Sequence, residues 1–292
     1  MALGATAYVG YVTWAQREAV SQALTSISAA WLASAIAAFM AMTASKAAYH
    51  QLLVAHLHAS AARHPKAVMS SFLVGQLLRY LPGKIWGLAY QAGRLREVCP
   101  PSTVVIANGV QMAMSILVTS LLVATLLAFQ LGVDLAWMLP PALMAIVIAA
   151  HRHTHVLGRA MSRLSRNPMP TERAHGEAPL RFAMFGTVLL AIDWMFFVAG
   201  FMALGNGMVR LVDALPLAVT YAGASVMAMA AVAVPAGFGV REALFVSTAD
   251  LSGFSAGSLV VWGVVARIAM TVADAIAGLA AIGLMRPEQD DG

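Results

Sequence analysis

Long apolar stretches constrain this chain more than any other feature of its sequence. They run over about 23–45, 103–130, 135–150, 181–205 and 258–285. A helix that crosses the hydrocarbon core of a bilayer needs about 20 such residues. The composition agrees, because 60% of the residues are hydrophobic and 11% are charged, whereas soluble domains have about 45–50% and about 25%. The sequence therefore predicts an all-α, polytopic transmembrane helical bundle, and it argues against a soluble enzyme and a nucleic-acid-binding protein.

Two further apolar segments, 68–92 and 214–250, are interrupted near their middle by proline and glycine. The breaks contain Pro82 and Gly83 in the first segment, and Pro235, Gly237 and Gly239 in the second. Proline removes a backbone donor and glycine permits a reversal. Such irregular backbone survives at membrane depth only where protein or water surrounds it. We therefore predict two re-entrant hairpins or broken helices, with a plain proline-kinked helix as the alternative for each. By the same reasoning, Pro140 and Pro141 predict a kink or tilt in the stretch 135–150.

Lysine and arginine are unevenly distributed along the chain. Most of the 18 lie in the stretches 46–67, 93–102 and 151–181 and in the C-terminal tail. The positive-inside rule places such stretches in the cytoplasm. If 46–67 and 93–102 share one side of the membrane, the segment between them enters and leaves by the same face, as a hairpin does.

This layout predicts two halves of opposite topology, each with one broken segment. The first transmembrane half is 1–150, with the break in 68–92, and the second is 181–292, with the break in 214–250. A basic cytoplasmic loop, 151–180, joins them. Paired halves of this kind are the sequence mark of an inverted-repeat transporter.

Three motifs carry a resemblance to a known family. They are RYLPGKIWG at 79–87, VPAGFGVREALF at 234–245 and ARIAMTVAD at 266–274. In order and spacing they resemble the motifs of the lysylphosphatidylglycerol synthase transmembrane-region family, also called the flippase-like domain. The resemblance implies a multi-pass inner-membrane protein that moves or handles a lipid, either an aminoacyl-phospholipid or a polyprenyl- or hopanoid-type lipid. Because the chain leaves no room for the soluble synthase of that family, we expect no aminoacyl transfer.

Seven charged side chains lie deep within the apolar segments, where each costs about 2.5–3.5 kcal/mol. The cations are Arg79, Lys84, Arg241 and Arg267, and the acids are Asp193, Glu242 and Asp274. We predict that the cations converge on one cavity between the two halves and bind the phosphate of a lipid headgroup, with the acids as resting counter-charges. Charge-assisted hydrogen bonds to phosphate would satisfy these cations. The alternative is that the acids are permanent partners and the ion pairs only fix the fold.

The remaining reactive side chains form no catalytic or metal-binding motif. The eight histidines fall in stretches predicted to be cytoplasmic, and we expect the cluster at 151–155 to be solvated and to face lipid headgroups. In the run from His151 to His155, with His153 between them, only the first and last share a helical face, so we predict no metal site. We expect no cofactor and no catalytic residue, and we expect Cys99 to be inert.

The predicted function is therefore that of a lipid flippase-like transporter in the cell inner membrane, with 151–181 on the cytoplasmic side. Two alternatives remain open. One is an enzyme that modifies lipid within the membrane, and the other is a non-transporting scaffold for a lipid-modifying enzyme or glycosyltransferase. The expected partners are membrane lipids and, for a scaffold, such an enzyme; nucleic acid is not expected.

Overall fold

The computed structural model is helical, and no strand occurs among the residues that it describes. These are residues 2–81, 85–133, 136–165, 179–205, 209–229, 239–249 and 253–284. In chain order the helices are α1 (Ala2–Ala15), α2 (Arg17–Ser26), α3 (Ala29–Leu57), α4 (Pro65–Leu78), α5 (Trp86–Arg94), α6 (Pro101–Gln130), α7 (Leu139–Arg152), α8 (Thr154–Ser165), α9 (Pro179–Leu204), α10 (Leu211–Met229), α11 (Val240–Val246) and α12 (Ala256–Leu284). The prediction of an all-α fold is confirmed.

Five of the described helices are long and apolar enough to cross a membrane. They are α3, α6, α9 from Leu180 onward, α10 and α12. Three of them, α6, α9 and α12, match the predicted stretches 103–130, 181–205 and 258–285 to within two residues. The chain is therefore a multi-pass membrane protein.

Helix α3 begins and ends later than the predicted stretch 23–45. It runs from Ala29 to Leu57, so residues 46–57, which we predicted to be loop, are helical. That prediction was wrong because Lys46 was taken as the end of the apolar span. The sequence of 46–57, KAAYHQLLVAHL, contains neither glycine nor proline and consists mostly of good helix formers.

Helix α7 has 14 residues, from Leu139 to Arg152, which is shorter than the roughly 20 that a span requires. Pro140 and Pro141 lie in its first turn. A missing backbone N–H has no consequence there, because the first N–H groups of a helix have no partner within the helix. These prolines therefore start the helix, and the prediction that they kink it was wrong.

The predicted basic loop is helical in its first part. Helix α8 covers Thr154–Ser165, while residues 166–178 lie outside the described residues. Arg152, Arg159 and Arg163 are exposed on this part of the chain. The side of the membrane that they face stays a prediction.

The chain divides into two compact units. Unit 1 comprises residues 1–41, 115–146 and 194–272, and unit 2 comprises residues 42–114, 147–193 and 273–292. Each unit contains one of the two broken segments. The proposed division into halves 1–150 and 181–292 concerns repeat symmetry, which these units do not test, so it stays a prediction.

An aromatic cluster forms the core of unit 1. Tyr221 of α10 packs against Phe201 of α9 and Phe245 of α11, with ring centroids 5.3 and 5.1 Å apart, respectively. All three side chains are almost fully buried. Phe39 of α3 lies so close to Gly200 that a Cβ on that glycine would overlap its ring. This cluster packs the short helix α11 against α10.

In unit 2, the first broken segment folds into two helices that pack against each other, α4 and α5. The contact is between backbones, because a Cβ on Gly87 would overlap the carbonyl of Gly75. Gln91 lies beside the same contact and is buried. Two glycines at one crossing let the helices approach more closely than side chains would allow. The helices α4 and α5 therefore pack closely against each other, while the re-entrant hairpin that we predicted here stays a prediction.

The second broken segment begins with the span-length helix α10 and ends with α11, and these two helices pack against each other. The residues between them, 230–238, lie outside the described residues. Four of the five predicted break residues are likewise outside them, as is the predicted cation Lys84; these four are Pro82, Gly83, Pro235 and Gly237. Gly239 is described, and it immediately precedes α11.

Candidate functional site

Glu242 of α11 accepts hydrogen bonds from two arginines in unit 1. Its Oε1 atom lies 2.8 Å from Nη1 of Arg267 and 3.1 Å from Nη2 of Arg241. The three side chains are between 9% and 19% exposed. One buried carboxylate is therefore shared by two guanidinium groups. We call this set the shared cluster.

The backbone at the start of α11 positions this glutamate. Gly239 has φ +78°, in the left-handed region that favours glycine. As the third residue of the helix, Glu242 reaches back so that Oε2 accepts the Gly239 N–H at 2.9 Å, which is the glutamate half of a capping box. On the other side, the Arg241 guanidinium lies 4.9 Å from the ring centroid of Tyr221, within cation–π range. Both oxygens of Glu242 and one face of Arg241 are thus held in place.

A cavity of about 420 Å³ adjoins the shared cluster. It is lined by Val9 of α1, Gly239 and Glu242 at α11, and Val264, Arg267, Ile268, Thr271 and Val272 of α12. Most of these side chains are apolar, and Glu242 and Arg267 are the charged ones. Ligand sites are commonly of this size and kind, apolar with a few polar groups that fix orientation. The cavity can accept an apolar chain together with an anionic group.

A second buried carboxylate lies in unit 2 and is held differently. Asp274 accepts hydrogen bonds through Oδ2 from Arg79 Nη2 at 2.6 Å and from the Tyr80 hydroxyl at 2.7 Å. Its Oδ1 accepts the Thr43 hydroxyl at 3.0 Å. The Asp274 side chain is 4% exposed, whereas that of Arg79 is 49% exposed. One cation and two neutral hydroxyls therefore hold this acid, in what we call the hydroxyl-held cluster.

A third acid of the apolar segments, Asp193 of α9, has a single loose partner. The Lys46 ammonium lies 3.8 Å from its Oδ1 atom, which is too far for a hydrogen bond. This oxygen is buried, and no hydrogen bond reaches it from the described residues.

The seven predicted site residues are distributed as follows. Lys84 lies outside the described residues, Arg241, Arg267 and Glu242 form the shared cluster, Arg79 and Asp274 belong to the hydroxyl-held cluster, and Asp193 pairs with Lys46. Each described cation is therefore paired with an acid of its own unit, as the internal-partner alternative expected. The convergence of all four cations on one cavity stays a prediction.

Three residues of these clusters were missed by the sequence argument. Thr43 and Lys46 of α3 are partners of two acids, and the Tyr80 hydroxyl donates to Asp274. A signal was present, because Thr43, Lys46 and His50 stand three and four residues apart in an otherwise apolar helix. That spacing places them on one face, and such a stripe indicates contact with buried polar groups.

His151 contradicts the prediction of a solvated cluster at 151–155, because it is fully buried, and His50 is buried as well. The Nδ1 atom of His151 lies 2.9 Å from the Val147 carbonyl, and its Nε2 lies 3.0 Å from the Tyr49 hydroxyl. A carbonyl only accepts, so Nδ1 carries the hydrogen and Nε2 accepts from the tyrosine. The prediction failed because α3 extends past Lys46 and brings its last turns into the core. Among the described residues no group of three or more His, Cys, Asp or Glu side chains could hold a metal.

The single cysteine, Cys99, lies between α5 and α6 and is almost fully buried. Burial raises the pKa of its thiol to about 11, because a thiolate is poorly stabilised away from water. Very little of it is in the reactive form at neutral pH.

Comparisons with known proteins add no relative to this picture. A scan against protein-family models found no match, and searches of curated proteins and of solved structures found none either. The resemblance of the three motifs to the flippase-like domain therefore stays an expectation from the sequence.

Proposed function

We propose that this chain is a lipid flippase-like transporter whose shared cluster binds the phosphate of a lipid headgroup. The lipid is of the aminoacyl-phospholipid or of the polyprenyl- or hopanoid-type class that the motifs imply. The observation that carries the proposal is one carboxylate, Glu242, shared by two guanidinium groups on the wall of an apolar cavity. An amphiphile with an anionic head matches both parts of that site.

Exchange of acceptors is the central step. Guanidinium binds carboxylate and phosphate with the same planar pair of donors, and phosphate offers more oxygens. A lipid phosphate that enters the cavity replaces Glu242 as the acceptor for Arg267, and the buried cation is compensated throughout. When the lipid leaves, the carboxylate takes its place again. Glu242 therefore occupies, in the absence of lipid, the acceptor position that the lipid phosphate takes.

The protein needs to enclose only the headgroup of the lipid. A volume of about 420 Å³ accommodates a head and part of a chain, while the remaining hydrocarbon stays in the bilayer, where it is stable. The lipid moves down its gradient or together with an ion, because the sequence contains no nucleotide-binding motif.

The proposal includes the inner membrane as location and a cytoplasmic side for 151–181, both from the distribution of arginine. Cysteine substitutions at Arg63, Arg96 and Ser165 test it by reaction with an impermeant maleimide in intact cells and in inverted vesicles. We expect all three to react from the cytoplasmic side only. Reaction of Arg63→Cys and Arg96→Cys from opposite sides would show that 68–92 crosses the membrane.

Transport is tested with the purified chain in vesicles that contain a fluorescent phospholipid, by the fraction of label that dithionite can bleach. We expect Arg241→Ala to abolish lipid movement and Arg241→Lys to retain part of it, because lysine keeps the charge and loses the paired donors. Arg210→Ala is the matched control, since Arg210 is 77% exposed and pairs only with its neighbour Asp213 in the described residues. Free inorganic phosphate at high concentration should compete weakly, because it lacks the apolar part.

Normal transport by folded Arg241→Ala and Lys84→Ala would show that these cations are structural. Binding of lipid by the wild-type chain without movement would instead favour the scaffold alternative. Thermal unfolding of each variant in detergent separates loss of function from loss of fold.

A further inference from the structure

The three acids of the apolar segments differ in how fully their negative charge is compensated. Glu242 receives hydrogen bonds from two arginines and one backbone N–H. Asp274 receives them from one arginine and two hydroxyls. Asp193 receives none from the described residues at its buried Oδ1, and the charged group that acts on it is Lys46 at 3.8 Å.

An ionised carboxylate in a buried site is costly unless hydrogen bonds replace its water. Glu242 and Asp274 satisfy that requirement, so their charged forms are stable. Asp193 does not, and the cost falls if it takes up a proton, because the neutral carboxyl is no longer a buried charge. A metal ion would need several oxygen ligands, which a single carboxylate beside an ammonium group does not supply.

From the unsatisfied Oδ1 atom and its distance to the Lys46 ammonium, we propose that Asp193 is a proton-binding site that couples lipid movement to proton movement. The coupling rests on the proposed function above. A proton from the aqueous phase binds the Asp193 carboxylate and forms a neutral carboxyl, while Lys46 keeps its own proton. The chain then carries one additional positive charge, which the phosphate of one singly charged lipid balances. Release of lipid and proton on the other side restores the starting charges.

The proton site is tested without lipid transport, by infrared spectra of the purified full-length chain over roughly pH 5 to 8. We expect the C=O stretching band of a protonated carboxyl to grow as the pH falls. The band should be lost in Asp193→Asn and retained, at a shifted position, in Asp193→Glu. Asp213→Asn is the matched control, because Asp213 lies in an exposed pair with Arg210. A band that persists in folded Asp193→Asn would overturn the proposal.

Coupling is tested with the fluorescent derivative of an anionic lipid, phosphatidylglycerol, in phosphatidylcholine vesicles with a pH difference of one unit. One proton per lipid gives a ratio of up to about tenfold between the leaflets, and Asp193→Asn should give equal leaflets. Equal leaflets with the wild-type chain, although lipid moves, would refute the coupling and leave the proposed function intact. Absence of any movement would refute the proposed function, and the infrared band would still decide whether Asp193 binds a proton.

Discussion

The shared cluster and the hydroxyl-held cluster use the same kinds of side chain and reach different balances. Glu242 serves two guanidinium groups, and the side chains of all three residues are mostly buried. Asp274 serves one guanidinium that is half exposed, and two hydroxyls complete its shell. Glu242 is thus shared by two cations, whereas Asp274 has one cation and neutral hydroxyl donors at both of its oxygens. Under the proposed function, the number of cations per acid, rather than burial alone, would distinguish a site that can exchange its anion from one that is fixed.

The largest effect is expected when the shared acid is neutralised. Glu242→Gln removes the carboxylate that two buried guanidinium groups share, and we expect the free energy of unfolding to fall by about 3–5 kcal/mol. Unfolding in a denaturant series in detergent measures it. An excess of anionic lipid should restore much of the loss, because the lipid replaces the missing anion. A variant as stable as the wild-type chain would contradict the claim that Glu242 holds both arginines.

A smaller effect is expected at the other acid. Asp274→Asn keeps one acceptor and leaves Arg79 half exposed to water, so we expect a loss of about 2–3 kcal/mol. Anionic lipid should not restore it. If lipid rescues Asp274→Asn as well as Glu242→Gln in the same unfolding assay, the two clusters are not functionally distinct.

The glycine contact between α4 and α5 has its own test. Gly87→Ala drives a Cβ into the Gly75 carbonyl, and we expect a loss of about 1–3 kcal/mol, because backbone cannot move aside as a side chain can. Gly93→Ala is the matched control on the same helix, since nothing lies within 4 Å of its Cβ position. That change should stabilise the chain by up to about 1 kcal/mol. Equal stability of the two variants would exclude the close approach of α4 and α5.

Gly239, which precedes α11 in the second broken segment, should give the smallest change in the free energy of unfolding. Gly239→Ala forces a side chain into a left-handed conformation, at a cost of about 1–2 kcal/mol. Gly283→Ala, in open space on α12, is the comparison. The diagnostic reading is lipid movement, which should fall in Gly239→Ala because the turn aims the Glu242 side chain. Unchanged transport in Gly239→Ala would show that this turn is not needed to position Glu242.

Helix existence could be predicted here because an apolar run of about 20 residues leaves the backbone no other structure in a bilayer. The buried acids could be identified for a related reason, since a charge in such a run needs a partner. The sequence could not predict which residues are the partners of these acids. Lys46 pairs with Asp193 across 147 positions of sequence, and nothing local in either helix specifies which helices will be neighbours.

Helix ends were predicted less well than helix centres. Lys46 and His50 suggested solvent, yet α3 continues past both because polar groups of other helices accept or donate to it. The carbonyl of Lys46 takes a hydrogen bond from Gln111, and the ring of His50 bonds the same glutamine. Charge and polarity thus mark a membrane surface only where no buried partner exists, and that depends on tertiary structure.

Because Cys99 is buried, the unaltered chain can serve as the unlabelled control in chemical labelling experiments. With a thiol pKa of about 11, on the order of one molecule in ten thousand carries the thiolate at pH 7, and the side chain is also shielded from reagent. A spin label or fluorophore can therefore be attached at any introduced surface cysteine without first removing Cys99. Distances between two such probes would then report movement in a chain whose native packing at Cys99 is undisturbed.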